Sequence, residues 1–301
     1  RQFDILKKAS APLRAAALSA MFPVLFHGGW FTLHTYGLLV AIGYLTGIFV
    51  ATQAAKRLGQ NPDQIFNLAV YLAIGAIVGA KLFLVLQDWR FYVHEPRALL
   101  STDFLESGGI FYGGLIVALL VLVWFVRHHR LSWLAVGDAV VPGLALGHGI
   151  GRMGCYSAGC CWGKPSTITW FSTTFTRPYA HATVGVPLNV PLWPTELMMA
   201  AAGVVIFILL WRMVGRRRYV GELTAFYLFV YGGWRYTIDF FRYYSPQAQL
   251  FHGLMTDAQL TSLCMMVLAI GIWIWQRGQS QRAAAPAAGL RAGRPQVAAE
   301  R

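Results

Sequence analysis

The chain has 301 residues, of which 56% are hydrophobic and only 12% are charged, and its mean hydropathy is +0.51. Soluble domains carry about 25% charged residues, so this composition excludes an ordinary soluble protein and indicates one that is embedded in a membrane. The net charge of +13 does not indicate nucleic acid as a partner. The basic residues stand in short runs after apolar segments, whereas nucleic-acid binding favours a basic face on a soluble domain.

Seven apolar segments are long enough to cross a bilayer, at about 20 residues per span. Residues 1–21 are predicted to be an N-terminal extension, disordered or lying at the membrane interface, and residues 22–276 to be the membrane domain. We expect an all-α integral membrane protein with seven transmembrane helices. Their predicted positions are residues 31–54, 63–86, 109–126, 133–150, 194–214, 221–242 and 256–275.

The basic runs orient the predicted spans. They lie at residues 56–57, 127–130, 216–218 and 277, all on one side of a seven-span count, and the positive-inside rule makes that side cytoplasmic. The N-terminus is then outside the membrane and the C-terminus inside. Residues 151–193 are the longest predicted segment on the outer side, and residues 277–301 are predicted to be a disordered basic tail on the cytoplasmic side.

Arg152 lies between Gly151 and Gly154 at the outer end of the fourth predicted span. A guanidinium keeps its proton, so at a membrane it must be paired, hydrated or bound to an anion. The abundant anion beside a bilayer is a phospholipid phosphate. The pattern therefore indicates a site for a phosphate-bearing lipid.

A second arginine, Arg235, lies near the outer end of the sixth predicted span. At about 100° per residue, Arg235, Asp239 and Arg242 share one helical face, so Asp239 is expected to pair with either arginine. A structural ion pair with Arg242 reaching toward the headgroups is the alternative. Two arginines at one membrane level favour the anion site over this alternative.

Glycine pairs flank a tyrosine at the start of the third predicted span. Gly108 and Gly109 precede Tyr112, and Gly113 and Gly114 follow it. Glycine permits close approach of a ligand or of another helix, so both substrate binding and helix packing stay open.

Three cysteines follow Arg152 on the predicted outer side, which is an oxidising location. Three alternatives are open for Cys155, Cys160 and Cys161: a disulfide, a zinc site that includes His148 or His181, and a catalytic thiol. The spacing lacks the paired C-x-x-C pattern of zinc sites. No metal or other cofactor is expected.

Several short motifs occur in a fixed order across residues 22–276, and together they resemble the bacterial prolipoprotein diacylglyceryl transferase family. The matching pieces are Leu33-His-Thr-Tyr-Gly37, Gly108-Gly-Ile-Phe-Tyr-Gly-Gly-Leu115, Gly137-Asp138 with Pro142, Gly151-Arg-Met-Gly154, Gly159 with Trp162-Gly163, Trp193-Pro-Thr-Glu-Leu197, Tyr231-Gly-Gly-Trp-Arg235 and Asp239-Phe-Phe-Arg242.

The resemblance implies an enzyme that moves the diacylglyceryl group of phosphatidylglycerol to the lipobox cysteine of a prolipoprotein signal peptide, forms a thioether and releases glycerol phosphate. It implies that Arg152 and Arg235 are the essential arginines and that Tyr36 and Tyr231 contact lipid. With Tyr112, the arginines form the predicted catalytic set. The other predicted substrate-binding residues are Gly113, Gly114, Gly151, Gly154, Asp239 and Arg242.

The departures from the family pattern concern the acceptor thiol. Tyr112 stands where the family has a histidine proposed as the base for that thiol, and a phenol is a poor base at neutral pH. Cys155 and Cys160 replace an asparagine and a glutamate, and Trp193 replaces a histidine. Two alternatives therefore stay open: a related phospholipid-dependent transferase with another acceptor, and a non-catalytic protein that binds or translocates phospholipid.

Overall fold

The computed structural model describes residues 23–28, 31–101, 104, 109–244, 249–250 and 254–289. The predicted extension at residues 1–21 and Gly108 lie outside the described residues. Helices within the described residues are numbered in chain order as α1 Thr35–Arg57, α2 Pro62–Gln87, α3 Trp89–His94, α4 Phe111–His128, α5 Trp133–Ala158, α6 Pro178–Val184, α7 Thr195–Val214, α8 Glu222–Ile238 and α9 Asp257–Gly289.

In the part of the chain that the structure describes, three short antiparallel strand pairs accompany the helices. They are β1 Val24–Gly28 with β2 Phe31–His34, β3 Thr173–Thr174 with β4 Pro191–Leu192, and β5 Gln249–Leu250 with β6 Met255–Thr256. The first pair corrects the expected start of span one at residue 31. Residues 31–34 are a strand because their backbone pairs with β1, and the Thr35 amide continues the pairing with the Pro23 carbonyl at 3.1 Å.

Among the described residues, six helices are long and apolar enough to cross a membrane: α1, α2, α4, α5, α7 and residues 257–277 of α9. This confirms a helical, multi-pass membrane protein. Helix α8 has 17 residues, which at 1.5 Å per residue spans about 26 Å, against about 30 Å of bilayer hydrocarbon. The count of seven spans and the orientation therefore stay predictions.

Helix α5 extends beyond the expected end at residue 150, so residues 151–158 of the connection predicted over residues 151–193 are helical. A left-handed glycine ends it. Gly159 has φ of +72°, its amide bonds the Tyr156 carbonyl, and the Cys160 amide bonds the Cys155 carbonyl at 3.1 Å. This pair of bonds is a Schellman cap, and it holds Cys160 next to the last turn of α5.

Two further boundaries differ from expectation. Helix α8 ends at Ile238, so the shared helical face predicted for Arg235, Asp239 and Arg242 is wrong beyond Asp239. The chain leaves the helix there because residue 241 pairs with the connection after α5, where the Lys164 amide bonds the Phe241 carbonyl at 2.7 Å. At the other end, α9 continues to Gly289, so the expected disorder does not begin at residue 277.

Contacts divide the chain into two compact units. The second unit comprises the described parts of residues 46–144, 207–227 and 268–301. Its apolar core includes Ala55, Leu68 and Phe125. Asp138 in α5 is fully buried and accepts hydrogen bonds from Arg217 Nη1 at 3.1 Å, the Gly221 amide at 2.7 Å and both donors of Thr224 at 2.9 Å. These donors satisfy the carboxylate, and they tie α5 to the start of α8.

Glycines bring α2 and α4 into close contact within this unit. A Cβ at Gly113 would overlap the Phe83 side chain and lie 2.6 Å from the Gly79 carbonyl oxygen, and one at Gly114 would lie 2.8 Å from the Ala76 carbonyl oxygen. Helix packing thus explains both glycines without a ligand. The substrate-binding role expected for Gly113 and Gly114 stays a prediction.

Replacing Gly113 with alanine is expected to lower the midpoint of thermal unfolding, because overpacking costs about 1–3 kcal/mol. Gly271→Ala in α9 is the matched control, since a Cβ there meets nothing within 4 Å and alanine favours a helix by about 1 kcal/mol. Thermal unfolding in detergent compares the two variants. A midpoint for Gly113→Ala at or above that of the wild type contradicts the close packing of α2 and α4.

The first unit comprises the described parts of residues 1–45, 145–206 and 228–267. A small apolar core of Tyr156, Phe175, Ala180, Val186 and Leu192 lies under the connection between α5 and α7. This core makes the connection an ordered structure on which side chains can be held in fixed positions.

Candidate active site

Arg152 projects from the last two turns of α5 and is partly exposed. Its Nε donates to His148 Nε2 at 3.0 Å, one helical turn earlier. Because Nε2 accepts this bond, the imidazole is neutral and carries its proton on Nδ1. Among the described residues, no carboxylate oxygen lies within 4.0 Å of Arg152. The two terminal nitrogens therefore remain available to an anion.

Arg235 is held by a buried carboxylate. Its Nη1 lies 2.5 Å from Asp239 Oδ1 and its Nη2 donates to the Tyr244 hydroxyl at 2.7 Å. Tyr244 and Thr256 donate their hydroxyl protons to Asp239, whose side chain is fully buried. Asp239 thus pairs with Arg235 and not with Arg242. Burial, and then the bond to Asp239, raise the pKa of Tyr244, so its hydroxyl stays protonated.

His148 links the two arginines. Its imidazole interacts electrostatically with both Arg152 and Arg235, and its ring meets that of Tyr231 edge to face at 5.3 Å. Arg152, Arg235 and Tyr231 therefore all lie around His148, and their joint role in a site stays a prediction. The sequence interpretation considered His148 only as a metal ligand. Its spacing of four residues from Arg152 was the signal for this contact.

Tyr36 and two glycines complete the surroundings of Arg152. Tyr36 lies in the first turn of α1, is 45% exposed and interacts electrostatically with Arg152. A Cβ at Gly154 would lie 3.3 Å from the Tyr36 carbonyl oxygen, whereas one at Gly151 meets nothing within 4 Å. Gly154 therefore packs closely against Tyr36, and Gly151 leaves open space next to Arg152.

Arg242 follows the end of α8 and pairs through its backbone with Gly163. Its guanidinium carbon lies 5.3 Å from the centre of the Tyr244 ring, and the side chain interacts electrostatically with Cys161 and Glu196. Glu196 is 2% exposed, and its Oε1 is buried without a hydrogen-bond partner among the described residues. Glu196 belongs to a motif noted in the sequence, but no role was predicted for it.

The three cysteines after Arg152 converge. The Sγ atoms of Cys155, Cys160 and Cys161 all lie within 4.8 Å of one another, and all three thiols are free. Hydrogen bonds from Cys155 and Cys160 lower the pKa of Cys161, and Arg242 and Arg152 act in the same direction. The same thiol hydrogen bonds raise the pKa of Cys160.

Neither candidate histidine joins the cysteine cluster. His148 accepts from Arg152, and His181 Nδ1 lies 2.8 Å from the Val186 carbonyl oxygen. A zinc site that uses one of these histidines is therefore not formed.

Tyr112 lies in the first turn of α4, in the second unit. It is 65% exposed, and its ring contacts that of Phe111 edge to face at 5.7 Å. Its catalytic role stays a prediction.

An apolar cavity of about 610 Å³ adjoins α7 and α8 in the first unit. Trp234, the residue before Arg235, contributes to its wall, and the indole Nε1 is buried without a hydrogen-bond partner among the described residues. The other lining residues are Trp170, Phe171, Ser172, Pro194, Leu197, Met198, Ala201, Ala202, Val205, Ile206 and Val230. Such a cavity suits an acyl chain or an apolar side chain.

Comparison with known proteins gives one consistent result. The family described as "Prolipoprotein diacylglyceryl transferase" matches residues 23–275. A Clostridium tetani protein named phosphatidylglycerol--prolipoprotein diacylglyceryl transferase is 30% identical over 87% of this chain and 100% of its own length. Proteins of the same name from Legionella pneumophila and Sodalis glossinidius are 30% and 28% identical, each over 84% of this chain and over 95% and 92% of their own lengths.

Proposed function

The chain belongs to the prolipoprotein diacylglyceryl transferase family, and from this premise we propose that it performs the first step of bacterial lipoprotein maturation. It transfers the diacylglyceryl group of phosphatidylglycerol to the lipobox cysteine thiol of a prolipoprotein and releases glycerol phosphate. One observation carries the proposal. The terminal nitrogens of Arg152 have no carboxylate partner among the described residues, and a second arginine, Arg235, lies near the same histidine.

Arg152 binds the phosphate in this mechanism. When the bond between the glycerol carbon and the phosphate oxygen breaks, negative charge grows on the leaving phosphate. A guanidinium that is already in place stabilises this charge without reorganisation. His148 fixes Nε at 3.0 Å, so the two terminal nitrogens point away from it as a planar fork suited to two phosphate oxygens.

Arg235 contributes to phosphate binding in a different way from Arg152. Its charge is partly balanced by Asp239, so it supplies oriented N–H donors more than net charge. Tyr244 and Thr256 hold Asp239 from the other side. We assign Asp239 as a positioning residue for Arg235, and the electrostatic link through His148 supports a phosphate held by both arginines.

The remaining predicted residues surround the lipid. Tyr36 and Tyr231 contact the glycerol backbone and headgroup, Gly151 leaves room for them, and Arg242 adds positive charge near Cys161. The apolar cavity beside Trp234 takes one acyl chain. These roles are proposals that rest on proximity to the two arginines.

We further propose seven spans, with α8 as the sixth, an outer N-terminus and a cytoplasmic C-terminus. The basic residues at the ends of α1 and α4, after α7 and at the end of the apolar part of α9 then share the cytoplasmic side, as the positive-inside rule requires. Arg152 and Arg235 lie near the opposite ends of their helices. The active site accordingly faces the outer leaflet of the bacterial inner membrane, where exported prolipoproteins and phosphatidylglycerol are both present.

The test is acceptor-dependent release of glycerol phosphate from headgroup-labelled phosphatidylglycerol by the purified full chain. A lipobox peptide with cysteine is expected to trigger release, and the same peptide with serine to trigger none. Release without any cysteine acceptor contradicts the proposal. One second candidate is a transferase with another acceptor, which is favoured by the departures from the family pattern at Tyr112, Cys155 and Cys160. Release of glycerol phosphate with the serine peptide but not with the cysteine peptide would identify it.

Tyr112→Phe deletes only the hydroxyl that stands at the position of the family histidine. If this hydroxyl positions the thiol or relays its proton, the transfer rate falls about 100-fold or more, the usual contribution of general acid–base catalysis. Tyr71→Phe in α2 is the control, because the contacts of Tyr71 among the described residues are those of its ring with Trp124 and Phe125. Initial rates at saturating lipid compare the two, and an unchanged rate in Tyr112→Phe excludes a proton role for Tyr112.

A further inference from the structure

Three thiols from two adjoining segments meet beside the candidate phosphate site. Cys155 lies in the last turn of α5, and the Schellman cap at Gly159 returns the chain so that Cys160 Sγ reaches the Cys155 carbonyl at 3.6 Å. Cys161 has φ of +68°, a conformation that residues other than glycine adopt rarely. As a result, the consecutive residues Cys160 and Cys161 both place their Sγ atoms within 4.8 Å of Cys155 Sγ.

We propose that Cys155, Cys160 and Cys161 bind one zinc ion, and that the open fourth position of this ion takes the acceptor thiol. The first half of the proposal depends only on the three cysteines. The second half rests on the proposed transferase function.

The separation of the sulfur atoms suits a metal better than a disulfide. Zinc binds thiolate at about 2.3 Å, so tetrahedral ligands lie about 3.8 Å apart. Three Sγ atoms within 4.8 Å reach this spacing by small side-chain rotations. A disulfide would engage two thiols at about 2.05 Å and leave the third without a function. Thiolates also prefer zinc to magnesium or calcium, which bind oxygen ligands.

The number of donors indicates an open site. Among the described residues, no histidine or carboxylate joins the three sulfur atoms. Structural zinc sites have four protein ligands, whereas catalytic sites have three and leave one position for water or substrate. The cysteine cluster has the second arrangement.

The surrounding charges fit a zinc–thiolate group. Three thiolates and one Zn²⁺ carry one net negative charge, and both Arg152 and Arg242 interact electrostatically with Cys161. Glu196, whose buried Oε1 has no hydrogen-bond partner among the described residues, lies near the same cysteine, and its negative charge opposes that of a thiolate there. A buried oxygen without a donor requires an explanation, and a zinc-bound water is a donor of the kind that it lacks.

Zinc at this position would activate the acceptor thiol, which is the task proposed for the histidine of the family. The acceptor thiol binds zinc as a thiolate, and its proton passes to solvent. The sulfur then attacks the glycerol carbon of phosphatidylglycerol, the new C–S bond forms, and the C–O bond to phosphate breaks. Glycerol phosphate leaves with the bonding electron pair, and water replaces the thioether on zinc. In this proposal the zinc ion that Cys155 and Cys160 help to bind activates the acceptor thiol, so no base is required at the position of Tyr112.

The first test is cobalt titration of the reduced, detergent-purified full chain, because Co²⁺ reports its own ligands by absorption. One Co²⁺ per chain is expected, with tetrahedral d–d bands and thiolate-to-metal charge transfer that zinc abolishes. Cys160→Ser and Cys155→Ser should each lose the signal, and Cys264→Ser, which changes an exposed cysteine in α9, should keep it. Absence of stoichiometric binding by the reduced wild type overturns the proposal whether or not the variants fold.

The second test adds a lipobox peptide to the cobalt form without lipid. A fourth thiolate is expected to raise the charge-transfer absorption by roughly a third, and the serine peptide should leave it unchanged. No response to the cysteine peptide overturns the acceptor-binding half. Because neither titration needs turnover, transfer without metal binding would leave the proposed function standing and remove only this inference.

Discussion

Replacing Arg152 with alanine is expected to lower kcat for diacylglyceryl transfer about 100- to 1000-fold, the effect of removing one preorganised donor from a developing negative charge. Arg235 is already paired with Asp239, so its partly balanced charge does not replace the charge lost with Arg152. The chain should still fold, because Arg152 makes no salt bridge within the described residues. Transfer to a lipobox peptide measures the effect, and thermal unfolding verifies the fold.

Two further variants sharpen this result. Arg152→Lys keeps the charge and loses the planar fork, so an intermediate rate is expected. Arg90→Ala is the control, because Arg90 is exposed and its guanidinium carbon lies 5.7 Å from the Trp89 ring centre without a salt bridge in the described residues. Wild-type activity in Arg152→Ala excludes Arg152 as the phosphate ligand.

Replacing Asp239 with alanine is expected to destabilise the protein by up to about 3 kcal/mol, because it leaves a largely buried guanidinium, 13% exposed, without its carboxylate partner. Arg235, Tyr244 and Thr256 all direct donors to this carboxylate. The double variant Arg235→Ala with Asp239→Ala should be more stable than Asp239→Ala alone, since it removes the unpaired charge. Thermal unfolding of the single and double variants measures the coupling.

Asp88→Ala is the control for this cycle, because the exposed Asp88 makes no side-chain capping bond. Asp239→Asn separates stability from positioning: it keeps the shape of the side chain and loses the charge that orients Arg235. At a temperature where the Asn variant is folded, kcat should fall. Equal stability of Asp239→Ala and the wild type would show that the network around Asp239 does not hold α8 and β6 together.

The sequence was informative wherever a local pattern determines structure. Apolar length predicted the long helices, since a bilayer imposes it, and the cost of charge at a membrane pointed to Arg152 and Arg235. The helical spacing allowed Asp239 to pair with either Arg235 or Arg242, and the structure pairs it with Arg235. The same periodicity failed at Arg242, because the pairing of residues 163–164 with residues 241–242 ends α8 at Ile238.

Contacts between distant segments could not be read from the chain. Thr256 reaches Asp239 through β6, and no motif signals that approach. The cysteines lacked a recognised metal-binding spacing, yet the cap at Gly159 and the left-handed turn at Cys161 bring their sulfur atoms together. The contact between His148 and Arg152 could have been predicted from their spacing of four residues in a helix. The proximity of His148 to Arg235 could not, because it depends on where α8 packs.

Mass spectrometry of a lipobox peptide after incubation with the full chain and phosphatidylglycerol tests the central claim most directly. A mass gain equal to one diacylglyceryl group, fragmented to the cysteine sulfur and matched by one glycerol phosphate released, is the predicted result. It should disappear in Arg152→Ala and persist in Arg90→Ala. An unmodified peptide in the presence of folded wild-type protein, or a modification that Arg152→Ala retains, would contradict a transferase built around Arg152.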